Sequence, residues 1–214
     1  IQVQQDRLQK IFRSSSTNTR ALGDLADLMS NKAPNHIFYT NDALYAVSPD
    51  TNAVIRMGLD GKSEVVHPTT AGIGFITGGS AQNADKTIIF NTDSNGIAMF
   101  DAQDNSLTAQ SIELPSEKPE LTSLAVFGNR LYVYDKTSKN ILSFNKTLRG
   151  YSGGTAWITD ETAKKLDIKS IAIDGNIYAL SGNGVITKLF RGSPADFVQA
   201  KVDPSLSPAT RIIS

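Results

Sequence analysis

The chain of 214 residues carries two histidines, His36 and His67, and no cysteine. With no thiol there is no disulfide, no thiolate nucleophile and no cysteine-ligated zinc. A catalytic or metal-binding pair of imidazoles must converge on one point. Here His36 opens the first strand-like segment of one unit and His67 lies near the end of its last, so both read as structural or solvent-facing. Serine and aspartate are plentiful, yet no nucleophile-elbow sequence supports a Ser-His-Asp arrangement. Three glycine-rich stretches, Gly72-Ile73-Gly74, Gly78-Gly79 and Tyr151-Ser152-Gly153-Gly154, precede no helix, which argues against a phosphate cradle. The turns Asp50-Thr51-Asn52 and Asp93-Ser94-Asn95-Gly96 lack the spaced acidic series and distal Glu of a calcium loop. Asn145-Lys146-Thr147 fits a glycosylation acceptor, a match that chance alone supplies. No catalytic, metal or cofactor-binding residue is singled out, and no cofactor is implied.

Composition narrows the partners. Lys plus Arg equals Asp plus Glu at 21 each, for a formal charge of zero, whereas a nucleic-acid binder carries a basic excess. The densest basic pair, Lys164-Lys165, lies between Glu161 and Asp167 and reads as a solvated loop. Hydrophobic content of 40% with 20% charged residues suits a globular domain. No apolar run is long enough to span a bilayer. The lack of cysteine fits the cytosol and bacterial exported proteins alike; an extracytoplasmic or cell-surface setting is favoured.

Any such residues must be positioned by a repeated unit. ALYAVSPDTNAVIRMGLDG, TIIFNTDSNGIAMFDAQDN, RLYVYDKTSKNILSFNKTL and NIYALSGNGVITKLFRGSP each read as strand, polar turn, strand. Anchored on Tyr45, Ile89, Tyr132 and Tyr178, they recur at intervals of 44, 43 and 46 residues. Strand-bearing repeats of this period are the signature of β-propeller blades. Four blades are expected over 36–204 (36–70, 71–118, 119–163 and 164–204). Their strands begin with HIFYT, ALYAV, AVIRMGL and SEVVHP, and end with SIAI, IYAL, GVITKLF and DFVQAKV. In LYVYD, alternation sends Leu131 and Val133 one way and Tyr132 and Tyr134 the other. Two apolar faces imply a sheet packed between neighbouring sheets, with Tyr45, Tyr132, Tyr178 and Trp157 filling the gaps.

The flanks differ. Ile1, Leu8, Ile11 and Phe12 share a helical face, as do Leu22, Leu25 and Leu28, so residues 1–35 are expected to form a helical linker. PSLSPATRIIS resembles the lead-in to unit four, so 205–214 are expected to open a further blade. Beginning at Ile1 with nothing like a signal peptide, the chain reads as a piece of something longer. Partners, self-association or additional blades are expected to cover the open arc.

The units resemble NHL and YVTN-type repeats, the group that includes the SMP-30/gluconolactonase propellers. LYAVSPDTNAVIRMGLDG carries the Tyr, the Asp50-Thr51-Asn52 turn, Ile55-Arg56 and Asp60-Gly61. LYVYDKTSKNILSFNK carries Tyr132, Asp135, Asn140-Ile141 and Phe144, while the fourth unit shortens its turn and loses the Asp. The resemblance implies an all-β propeller of four-stranded antiparallel blades. It also implies that enzymatic members hold a divalent metal in the channel through Asn or Asp at the start of inner strands. The matching dipeptides are Thr122-Ser123, Lys169-Ser170 and, in unit two, Ala71-Gly72. None supplies a carboxylate, and a lysine would repel the metal. The expected function is therefore a non-catalytic interaction or sensor module that binds a protein or other ligand through rim loops. The competing reading is a metal-dependent lactonase-like hydrolase with ligands on blades outside this segment.

Overall fold

The computed structural model describes residues 21–29, 32–48, 50–115, 118–199, 206 and 208–213. Within them the repeat becomes sixteen strands in four antiparallel meanders. Blade 1 holds β1 (His36–Thr40), β2 (Ala43–Val47), β3 (Val54–Gly58) and β4 (Ser63–Val66). Blade 2 holds β5 (Ile76–Gln82), β6 (Thr87–Thr92), β7 (Ile97–Asp101) and β8 (Ser106–Ile112). Blade 3 holds β9 (Leu121–Phe127), β10 (Arg130–Asp135), β11 (Asn140–Thr147) and β12 (Gly150–Ala156). Blade 4 holds β13 (Ile168–Ile173), β14 (Ile177–Ser181), β15 (Ile186–Phe190) and β16 (Ser193–Pro194). The protein is an all-β propeller whose inner strands β1, β5, β9 and β13 lie side by side around the axis.

Local chemistry sets the hairpins. Asn41 and Asp42 have φ of 46° and 54°, the two left-handed residues that a two-residue hairpin requires. Asparagine and aspartate adopt this conformation because their short side chains bond locally. Most turn carboxylates bind backbone N–H groups. Asp101 accepts from Gln103 at 2.8 Å, Asp104 from Ser106 at 2.9 Å and Asp174 from Asn176 at 3.1 Å.

The core is divided among the gaps between blades. Tyr45 and Val54 meet Phe90, Phe100 and Leu107 between blades 1 and 2. Ile89 and Ile97 meet Leu131, Val133 and Phe144 between blades 2 and 3. Tyr132 and Tyr134 meet Ile171, Ile177 and Leu189 between blades 3 and 4. The alternation in LYVYD thus divides one strand's side chains between two cores. Tyr45 packs on Phe100 with ring centroids 4.9 Å apart, and Tyr132 meets Trp157 edge-on at 6.3 Å.

Several elements differ from the sequence reading. Of the helical linker expected over 1–35, the described part holds a single turn at 26–29, closed by the Met29 N–H on Leu25 O at 3.0 Å; residues 1–20, 30 and 31 lie outside the described residues. Leu25 and Met29 cover the face of blade 1 that points away from blade 2, against Ala46, Ile55 and Val65. The outer strand of blade 3 is GYSGGTA, seven residues beginning at Gly150, rather than TAWIT. Its glycines are required by crowding. Gly150 has φ of 144° and a Cβ there would sit 2.0 Å from Ser111 O, while one on Gly154 would sit 2.5 Å from a Phe144 ring carbon. This closeness lets β12 pair in parallel with β8 through Gly150–Ser111 and Tyr151–Ile112. Trp157 follows that strand and donates its backbone N–H to Ile141 O at 2.7 Å. In blade 4 the outer strand is Ser193–Pro194; of the expected DFVQAKV, 196–199 form no strand and 200–202 lie outside the described residues, and Phe197 packs on Tyr178 at 5.6 Å.

Candidate functional site

The first strands of the blades surround an axial cavity of about 520 Å³. Each inner strand contributes residues at one register position. β5, β9 and β13 carry irregularities between Ile76 and Gly78, near Ser123, and between Ile168 and Ser170. The extra residue at each bulge, Thr77, Thr122 or Lys169, lines the cavity. Bulges re-aim side chains in this way. Register places Gly78, Ser123 and Ser170 at equivalent positions, opposite Asn91, Tyr134 and Leu180. His36, opposite Val47, takes that place in blade 1.

The Thr122-Ser123 and Lys169-Ser170 pairs therefore lie where the resemblance puts metal ligands. In blade 2 the corresponding pair is Thr77-Gly78. Ala71-Gly72, which the sequence alignment suggested, lies in an exposed turn before β5 and does not line the cavity. Blade 1 supplies Asn35-His36. Gly78 has no side chain, and Asn91 lies against it: a Cβ on Gly78 would come within 2.8 Å of Asn91 Oδ1. Asn91 is fully buried and donates from Nδ2 to Thr77 Oγ1 at 2.7 Å.

A repeated hydrogen bond ties the inner strands together. Ser80 Oγ accepts from Val126 N at 3.3 Å, Ser123 Oγ from Ile171 N at 3.1 Å, and Ser170 Oγ from Ile212 N at 3.2 Å. Between blades 1 and 2 the link is His36 Nε2 to Thr77 O at 2.9 Å. A carbonyl only accepts, so Nε2 carries the proton and Nδ1 is the acceptor. That acceptor receives an N–H from Arg211, which crosses the cavity from the C-terminal segment. Arg211 also donates to Gly79 O at 2.6 Å and lies 5.0 Å above the Phe38 ring. Burial, then the Arg211 charge, holds the His36 pKa below its ordinary value, so the ring is neutral. Burial also lowers the Arg211 pKa.

Among the described residues no Asp or Glu lines the cavity. Among the described residues no group of three or more His, Cys, Asp or Glu could hold a metal ion. The hydroxyls, amides and cations around the axis are a poor donor set for a hard divalent cation, which needs several anionic oxygens. The acids of the Asp-rich turns are bound elsewhere: Asp93 Oδ1 accepts from Phe75 N at 2.9 Å, and Asp50 pairs with Lys32. His67 is exposed beyond β4, at the outer edge of the blade from which His36 faces the axis. The sequence reading missed the Arg211–His36 contact because the two residues are 175 positions apart. It did single out Ser123 and Ser170, whose hydroxyls form the inter-blade link.

No protein-family model matches the chain, and no curated protein sequence matches it. Solved structures match it in fold. A gluconolactonase from Xanthomonas campestris aligns with TM-score 0.56 and 15% identity over 75% of this chain and 60% of its own. Virginiamycin B lyase from Staphylococcus aureus aligns at 0.50 with 17% identity, covering 74% and 55%. The WD40 repeats of RRP9 align at 0.51 with 11% identity, covering 75% and 52%. The chain spans between about half and three-fifths of the length of these proteins. The resemblance to propellers noted in the sequence thus holds at the level of fold, and that fold hosts enzymes and WD40 modules alike.

Proposed function

We propose that this chain is a β-propeller binding module that holds a protein partner on its rim and performs no catalysis. One observation carries the reading: among the described residues no acid, base and nucleophile converge at the axis, where His36 is neutral and engaged at both ring nitrogens. The rim supports it further. The first-to-second and third-to-fourth strand turns of a meander lie at one end of each sheet. At or beside those turns Leu59, Phe127, Leu148 and Phe190 are all exposed, Leu148 completely. Each stands at the same end of its own sheet, where an exposed apolar side chain suits a protein surface rather than water. We further propose that 209–213 begin an additional blade, because Ile212 meets Ser170 as Ile171 meets Ser123.

The test is hydrolysis of gluconolactone by the full-length protein with added calcium or zinc, before and after chelation. No turnover above the uncatalysed rate is expected. Metal-dependent turnover that chelation abolishes would establish the hydrolase reading, with ligands supplied by blades beyond those described.

A further inference from the structure

We propose that the axial cavity is a binding site for a small organic anion, a carboxylate or a phosphate ester, held by the Arg211 guanidinium. This ligand site is independent of the rim and of any protein bound there. At about 520 Å³ the cavity falls within the size range of small-molecule sites. Among the described residues its charged lining groups are Arg211 and Lys169 and no carboxylate lines it, so its field favours an anion.

The guanidinium is oriented to act. It has five N–H donors in a planar fork. Gly79 O and His36 Nδ1, both neutral acceptors, receive two of them, and the Phe38 face fixes the plane. Among the described residues no acceptor takes the other three donors, whose geometry carboxylates and phosphates match bidentately. Arg211 is half-buried and meets no carboxylate among the described residues. Taking a guanidinium partly out of water is unfavourable, and a bound anion offsets that penalty. The neutral state of His36 matters here, since it accepts from Arg211 only while Nδ1 carries no proton. Lys169 lies at the blade 4 wall, where Nζ donates to Gly182 O at 3.4 Å, with Asp167 also beside Gly182. Asp167 partly offsets that charge, which makes Arg211 the principal anchor.

The experiment is titration calorimetry of the full chain with succinate, with inorganic phosphate and with neutral succinamide. Saturable binding of succinate or phosphate is expected, with none for succinamide, and the better anion identifies the ligand class. Arg211→Gln should weaken binding by about tenfold or more, the cost of a lost charge-assisted pair. Lys169→Gln, at an exposed position, should weaken it only about two- to threefold. Should Arg211→Gln fail to fold, the Arg211 Nε–H resonance of the wild-type protein supplies the readout, shifting with either anion and not with succinamide. The proposal is overturned if neither anion binds saturably, if succinamide binds equally well, or if folded Arg211→Gln binds as the wild type does.

Discussion

The gaps between blades and the channel along the axis are built from the same strands and do opposite work. In the gaps, Tyr45, Phe90, Phe100 and Phe144 are fully buried. At the axis, Thr77, Thr122 and Lys169 project from bulges into the cavity, and each blade contributes a different pair of residues. Apolar contact is non-directional, so any meander with the right alternation satisfies a gap. Polar groups at the axis act by direction and charge, so their identity decides what the channel accepts. Stability therefore belongs to the interfaces and, on the proposal above, ligand choice to the axis.

Breaking an interface should have the largest effect. Phe144→Ala empties the centre of the cluster between blades 2 and 3 and is expected to cost about 3–5 kcal/mol, read from urea unfolding. A loss below about 1 kcal/mol would mean that the blades do not rely on that gap. A polar interface group comes next. Asn140 donates to Ile158 O at 3.1 Å and accepts from Ile158 N at 2.8 Å, both buried. Asn140→Ala leaves that backbone unpaired and should cost about 1–3 kcal/mol. At the axis, Ser123→Ala removes one inter-blade link and should cost about 0.5–1.5 kcal/mol, measured in the same way.

The smallest effect sharpens the axis side of the comparison. The pKa of His36 is depressed in the fold, so on acidification the unfolded chain takes up the proton first. Its contribution to stability is complete above the ordinary value of 6.5 and is lost as pH falls from there through the folded pKa. Arg211 is the charged group that acts on the ring, and protonation of Nδ1 would set two cations against each other. Thermal melts between about pH 5 and pH 8 should show that loss in the wild type and its absence in His36→Gln. Identical profiles would remove His36 from the account.

Much of the fold was legible because alternation and turn chemistry are local. HIFYT and ALYAV match β1 and β2 residue for residue, and Asn41-Asp42 is the turn between them. The outer strands were harder to read. Tyr151-Ser152-Gly153-Gly154 looks like a loop by composition, yet its glycines are demanded by Ser111 and Phe144 on strands far away in sequence. The segment around Leu25 and Met29 has a helix-like spacing because it too has an apolar face, which here serves as a cover on blade 1. The channel was partly visible: Thr122-Ser123 and Lys169-Ser170 were placed correctly, while the blade 2 pair was displaced to Ala71-Gly72 because a bulge has no sequence mark of its own.

The sequence by itself determined the blade, through a period of two along each strand and turn residues that tolerate positive φ. It also determined that the pairs Thr122-Ser123 and Lys169-Ser170 carry no acid. Only the tertiary structure decided that Arg211 enters the cavity beside His36 and over Phe38. Periodicity reports which side of a strand is apolar. Which distant side chains share a space depends on how the sheets close around an axis, and no local pattern encodes that closure.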